Sequence, residues 1–404
     1  MKHIKANILR GVLSVVCILA TGRCSSDGSL TPADPSPTGV SPSPGFPERV
    51  QISDVSAYGI FDPSLAPDPV RNRVWMSYSA VDQSQLWDQP AVYTRLAYSD
   101  DEGVNWSDFG TVNPVVDVTL SMPAPNNQGT WYSEVSQIVY DPGALAGQRY
   151  KMIWHQWLTI NKELRIEYSW LAMKTAATPE GLVNATPIKL FSGFAYNSEA
   201  NTAGAPLYPP ISGPPKIALD KTFPELANCI FTEPGMYANA KGVYVTVYCG
   251  RPFASDGPED PDYSRVGLLK CASPCDMARV SSWKYIATLF TNADTLKLGY
   301  DGGGFGATGM FEGEDGTVYL TVTPSDNNPG PSYYKGCYIY KFTDLDSGIL
   351  DKTAPARIFS GENFNGACAF HKAAKKAGLM YIQTKPKYPY EADMFQIFKS
   401  GITF

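Results

Sequence analysis

Residues 231–249, FTEPGMYANAKGVYVTVYC, decide the fold. Glu233 and Pro234 open an extended run. Asn239-Ala240-Lys241-Gly242 is a turn, because Asn and Gly tolerate positive φ. Residues 243–248 (VYVTVY) form a second strand of β-branched and aromatic side chains. The stretch is one β-hairpin with a carboxylate near its entrance.

The same order recurs. Second-strand patterns lie at 74–79 (VWMSYS), 150–157 (YKMIWHQW), 243–249, 318–323 (VYLTVT) and 379–383 (LMYIQ). Each follows a turn-like stretch, and before each turn lies another extended run: 61–67, 134–140, 231–238, 306–311 and 367–374. A third strand follows each, at 94–99, 164–173, 265–270, 336–342 and 394–399. No amphipathic helix of 12 or more residues is evident. Repeated antiparallel units without helices predict an all-β, five-bladed β-propeller; a pair of two-sheet sandwiches is the competing architecture. The last unit has three strands. The segment around residues 49–55 supplies its fourth, which pairs the two ends of the folded region and removes exposed edges.

The N-terminus reads as a targeting segment over residues 1–23. Lys2, Lys5 and Arg10 are its basic part, and GVLSVVCILATG (11–22) is apolar but too short for a membrane span. Cys24-Ser-Ser-Asp resembles a bacterial lipoprotein start, although Arg23 replaces the small residue expected before the cysteine. Residues 24–48 are a Ser/Pro/Gly linker. The folded domain is then 49–404, secreted or held at the cell envelope, with membrane contact only through a lipid at Cys24. Six cysteines beyond the linker fit an oxidising compartment. Cys229 and Cys249 flank the hairpin turn, Cys271 and Cys275 can close a short loop, and Cys337 and Cys368 remain. Zinc at CASPC is the alternative, without a nearby histidine. A net charge of −6 gives no electrostatic footprint for nucleic acid.

The first strands carry the candidate chemistry. Asp62 (FDPS), Glu134 (YSEVSQIV) and Glu233 (FTEPG) stand at comparable places in three successive units; Gly306-Ala307-Thr308 and Ala369-Phe370-His371 take those places in the last two. Glycosidic cleavage uses one carboxylic acid to protonate the leaving oxygen and one carboxylate to activate water. Asp62 and Glu134 differ by one residue in distance to the next Asp-Pro turn, so a bulge is required to bring both to one side.

Asp-Pro in unit one, an acid in unit two and Glu in unit three resemble the arabinanase–xylosidase glycoside hydrolases of family 43 and their five-bladed relatives. The resemblance extends over about residues 50–404 in architecture but only a few residues in motif. It implies Asp62 as general base, Glu134 as pKa modulator (where the family has Asp) and Glu233 as general acid, acting with inversion. It implies no required cofactor. It also places His371 on the axis beside a structural calcium or a water. Trp131, Tyr132, Trp154, Tyr237 and His371 are the expected carbohydrate-binding residues near the mouth. His155, on a middle strand, reads as packed or hydrogen-bonded.

Two other function classes compete. Residues 99–106 (SDDEGVNW) fit S-x-D-x-G-x-x-W, the Asp-box of sialidases, a turn device also found in other propellers. A sialidase requires three arginines on the substrate carboxylate, whereas Arg71 and Arg73 fall in a turn. A surface propeller that binds glycan or protein without turnover is the other reading. Glycine-rich 301–306 (DGGGFG) reads as a loop over the channel mouth, because no helix follows to cradle phosphate.

Overall fold

The computed structural model describes residues 47–52, 56, 58–83, 90–119, 127–161, 163–193, 215–250, 264–300, 302–325, 334–358, 364–384 and 394–404. The expected leader, Cys24 and the linker through residue 46 lie outside the described residues.

The chain is all-β. β1 (Glu48–Arg49) is a short edge piece. β2 (Gly59–Asp68), β3 (Arg73–Gln83), β4 (Pro90–Ser99) and β5 (Ser107–Asn113) pair antiparallel in chain order. β6 (Val116–Thr119), β7 (Gln128–Tyr140), β8 (Tyr150–Ile160), β9 (Glu163–Ala176), β10 (Ile188–Ser192) and β11 (Ile217–Ala218) form a six-stranded sheet. β12 (Ile230–Asn239), β13 (Gly242–Gly250), β14 (Ser264–Ala272) and β15 (Trp283–Thr291) form the next. β16 (Gly304–Glu312), β17 (Val318–Ser325), β18 (Cys337–Asp344) and β19 (Ile349–Ile358) form another. β20 (Phe364–Ala369), β21 (Met380–Thr384) and β22 (Phe395–Lys399) close the order, with β1 added to β22 through Glu48↔Lys399 and Arg49↔Phe398.

The described residues give four sheets where the sequence pattern has five units, and none closes on itself. One parallel bridge, Gly59↔Phe395, is the reason: it joins β2–β5 to the β1/β20–β22 group as a single eight-stranded sheet. Five strand groups remain distinguishable within that connectivity. Their first strands touch in a ring: β2 against β7, β7 against β12, β12 against β16, β16 against β20, and β20 against β2.

Apolar layers fill the spaces between successive groups. Trp75, Leu96, Trp131, Trp154 and Trp170 lie between the first and second. Ile153, Phe191, Met236, Val245 and Trp283 lie between the second and third. Tyr244, Phe290, Phe305 and Leu320 follow, then Phe311, Ile339, Phe370 and Tyr381. Phe61, Met76, Tyr78, Met380 and Phe395 complete the circuit. Each such side chain contributes about 1.5–3 kcal/mol on burial, so strands buried on both sides hold one another.

The opening hairpin is β12–β13, and every residue of β13 is buried. Asn239 Oδ1 accepts the Lys241 N–H at 2.8 Å. Gly242 has φ 141°, and a Cβ there would meet the Cys271 carbonyl oxygen at 2.1 Å. Only glycine fits.

Each first strand carries the same irregularity. Register shifts fall between Phe61 and Ser64, Glu134 and Gln137, Thr232 and Gly235, Gly306 and Gly309, and Gly366 and Ala369. The first skipped residue has positive φ in all five: Asp62 (52°), Val135 (49°), Glu233 (49°), Ala307 (46°) and Ala367 (44°). These are β-bulges, which re-aim side chains at a strand's inner edge.

Two element boundaries differ from expectation. The run 367–374 is only partly strand: β20 ends at Ala369, and Lys372–Ala374 form a 3-10 turn started by His371. Gly304-Phe305-Gly306 belong to β16, so this part of the glycine-rich stretch is strand rather than loop; Asp301 lies outside the described residues.

Residues 99–106 form a tight turn. Ser99 Oγ accepts the Gly103 N–H at 2.9 Å, Asp101 Oδ1 accepts the Asn105 N–H at 2.9 Å, and Trp106 packs between the first and last groups.

Disulfides join Cys229–Cys249, Cys271–Cys275 and Cys337–Cys368. Both CASPC sulfurs are thereby used, which removes the zinc alternative. Three disulfides are compatible with an extracytoplasmic location. Among the described residues no helix is long and apolar enough to cross a membrane.

Candidate functional site

The bulges bring Asp62, Glu134 and Glu233 into one electrostatic neighbourhood. All three are buried, at 3–4 % relative exposure. Burial, then Glu134, then Glu233 push the Asp62 carboxyl well above the usual range, against a smaller lowering by the Ser79 hydroxyl. Burial pushes Glu134 up to about 8, against a smaller lowering by the Trp157 indole N–H. Burial, assisted by Glu134, pushes Glu233 up to about 7, and the Ala307 N–H opposes it. Three carboxyls sharing a water-poor space cannot all ionise. Such a cluster holds carboxylic acid and carboxylate together near neutral pH.

Each acid has its own support. Ser79 Oγ donates to Asp62 Oδ2 at 3.2 Å and accepts the Val135 N–H at 3.1 Å, which ties the first bulge to the second. Glu233 Oε2 accepts the N–H of Ala307, the bulge residue of the fourth group. A Cβ on Gly306 would sit 2.2 Å from that oxygen, so glycine is what leaves space for the carboxylate. Glu134 Oε1 is 3.3 Å from His155 Nδ1, directly across the β7–β8 pair. Asp62 and Glu233 occupy the positive-φ position, whereas Glu134 precedes it and Val135 takes the turn.

The aromatic binding residues expected from the sequence are elsewhere. Trp131 and Trp154 are fully buried between the first two groups, and Trp131 packs on Trp170 at 4.7 Å. Tyr132 is also buried, against Trp157 at 4.4 Å. A ring with both faces covered cannot stack on a sugar. The reason is register: the long second-group strands are buried on both faces, so strand aromatics there become core.

Tyr237 and His371 line a different cavity of about 290 Å³, at the far ends of the first strands, together with Leu65, Tyr140, Phe311 and Glu312. Tyr237 OH donates to Glu312 Oε2 at 2.7 Å, and Lys372 donates to its Oε1 at 2.8 Å. His371 Nδ1 accepts the Ala373 N–H at 3.0 Å, and burial, then Lys372, pull its pKa down to about 4. Among the described residues no group of three or more His, Cys, Asp or Glu has metal-binding geometry.

Arg71 pairs with Asp68 and Glu180, and Arg73 with Asp100, all at the β2–β3 turn end, away from Asp62. Sequence reading missed Ser79, Ala307 and Gly306 as supports. The only available sign was that Gly306-Ala307-Thr308 aligns with the acid–Pro steps of the first and third units.

No family model and no curated protein matches the chain. Solved structures do. A thermostable family-43 glycoside hydrolase aligns over 87% of this chain and 91% of its own, at 10% identity and TM-score 0.47. A family 117 glycoside hydrolase of the marine bacterium Zobellia galactanivorans aligns over 87% and 88%, at 11% and 0.45. The fructofuranosidase of Schwanniomyces occidentalis, solved with fructose, aligns over 87% of this chain and 58% of its own, at 12% and 0.50. The neighbours include a member of the glycoside hydrolase family whose residue pattern the sequence resembles; at these identities the likeness is one of fold alone.

Proposed function

We propose that this chain is a five-bladed β-propeller glycoside hydrolase, exported and tethered through its linker, with Glu233, Asp62 and Glu134 as its catalytic carboxyls. The five-blade count is supported by the ring of first-strand contacts and by the five apolar layers between groups. One observation carries the chemistry: three acids from three successive groups are buried together, and burial first, then mutual repulsion at Asp62 and Glu233, favours their protonated forms.

In this reading Glu233, poised near 7, gives its proton to the glycosidic oxygen as the bond to the anomeric carbon breaks. While Glu134 and Glu233 hold their protons they do not repel a charge on Asp62, and Asp62 as the single carboxylate takes a proton from water, whose oxygen bonds to the anomeric carbon from the opposite face. The result is inversion. Glu134 stays protonated and uncharged, so that a single carboxylate remains. No step requires a metal or cofactor.

The test is hydrolysis of arabinan, xylan, aryl glycosides and β-fructofuranosides by wild type and Glu233→Gln, with the first-formed anomer read by proton NMR. Loss of turnover in the variant and an inverted product support the assignment. A variant as active as wild type removes Glu233. Sugar binding by calorimetry without product in either protein identifies a binding module instead.

A further inference from the structure

Glu134 and His155 face each other as a direct cross-strand pair, with Oε1 and Nδ1 3.3 Å apart. Both residues are more than nine-tenths buried. Their other polar atoms, Glu134 Oε2 and His155 Nε2, lie outside ordinary hydrogen-bond geometry to any described residue, as does the buried Trp157 indole N–H, which acts on Glu134 as a donor and lowers its pKa. Buried polar atoms are nearly always bonded in native structures. Trp157 is this chain's own donor beside Glu134, so the carboxyl sits between an indole N–H and an imidazole.

The pair is not an ordinary ion pair. Burial alone drives His155 down to about 3, and it raises Glu134. The charged groups near Glu134 are Asp62 and Glu233, both of which disfavour a second carboxylate. Two neutral partners can bond in either sense; a Glu134 hydroxyl donating to the unprotonated Nδ1, with the histidine proton on Nε2, is the sense that holds Glu134 protonated.

We propose that His155 is a positioning residue: by accepting a hydrogen bond from the Glu134 carboxyl at Nδ1 it fixes that carboxyl in one orientation beside Asp62 and Glu233. The role rests on the hydrolase reading above, but the link between the two residues is measurable without turnover.

The experiment has two arms. Nitrogen NMR of the full chain, which holds three histidines, is run from pH 5 to 9 on wild type and Glu134→Gln. His155 is expected to stay neutral, with the proton on Nε2 while Glu134 is protonated and moving to Nδ1 as Glu134 ionises, a change lost in the variant. A His155 that protonates near its ordinary value, or that ignores Glu134, overturns the proposal. In the second arm, His155→Asn keeps a polar atom near the Nδ1 position and retains turnover within about tenfold. His155→Leu loses about a hundredfold in kcat/KM and shifts the pH profile of kcat, the range a lost positioning contact spans. Equal losses in both with an unmoved profile also overturn it. Coupled NMR shifts in a protein that hydrolyses nothing leave the dyad standing and reject the hydrolase reading alone.

Discussion

The first and third strand groups put an acid at the bulge; the fourth and fifth put alanine there, on the same backbone. Asp62 and Glu233 share positive φ with Ala307 and Ala367. Holding a non-glycine residue in that region costs about 1 kcal/mol or more, and all five groups bear it. The bulge is therefore a property of the fold, not of the chemistry. What differs is the side chain it presents. In the second group Val135 takes the turn and the acid steps back to Glu134, where a histidine faces it. The alanine groups are not idle: the Ala307 N–H bonds Glu233, and the Ala367 N–H bonds Thr323 Oγ1 at 3.0 Å.

The sharpest test of that asymmetry is Glu233→Gln. The amide keeps an acceptor for the Ala307 N–H but has no proton to give. Turnover should fall by about 10²–10⁴, the usual weight of a general acid, with little change in denaturation midpoint. Near-wild-type rates would make the acid groups as structural as the alanine ones.

Proton linkage gives the next effect. The folded state keeps protons on Glu134 and Glu233 that the unfolded chain releases above about 4.5. Folded protein then binds more protons than unfolded, so stability falls as pH rises from about 4.5 towards 8. Each fully raised carboxyl contributes up to about 1.4 kcal/mol per pH unit. Glu134→Gln should flatten the decline, read from urea midpoints between pH 5 and 8. An unchanged slope would mean Glu134 is ionised in the native protein.

How much of this was legible in the sequence follows the same division. Strand alternation and the Asn239–Gly242 turn are local, so hairpins and their order could be read. The added strand at Glu48–Arg49 followed from the need to cover an edge. The three acids were visible as recurring carboxylate positions, and the one-residue offset of Glu134 already required bulges. Their supports were not visible. Ser79 and Ala307 act across group boundaries, through contacts between residues 56 and 74 positions apart. Trp131 and Trp154 lie buried between groups and Tyr237 and His371 line another cavity, because a strand pattern gives neither which sheet face is covered nor which end of the axis a side chain reaches.

Two glycines at matching positions separate support from scaffold. Gly306→Ala drives a methyl into Glu233 Oε2, and Gly366→Ala drives one into Thr323 Oγ1 at 2.5 Å. Both should cost about 1–3 kcal/mol by overpacking, measured by urea denaturation. Only Gly306→Ala should also lower kcat, roughly tenfold or more, by moving the acid. Equal kcat in the two would dissolve the distinction between them.

The smallest effect is the most selective. Ala307→Gly and Ala367→Gly each release the positive-φ cost of an alanine, partly offset by a looser unfolded chain. Both variants should gain about 0.5 kcal/mol in stability. Their kinetics should diverge. Ala367 lies in the group without an acid, and its freedom reaches only Thr323. Ala307 holds Glu233 through its N–H, so a freer backbone there loosens the orientation of the acid and lowers kcat by roughly two- to fivefold. A matched stability gain with a one-sided kinetic loss is the pattern expected if one backbone device serves two purposes. Matched losses in both would mean that the ring responds as a whole, and that the acid groups are not separately held.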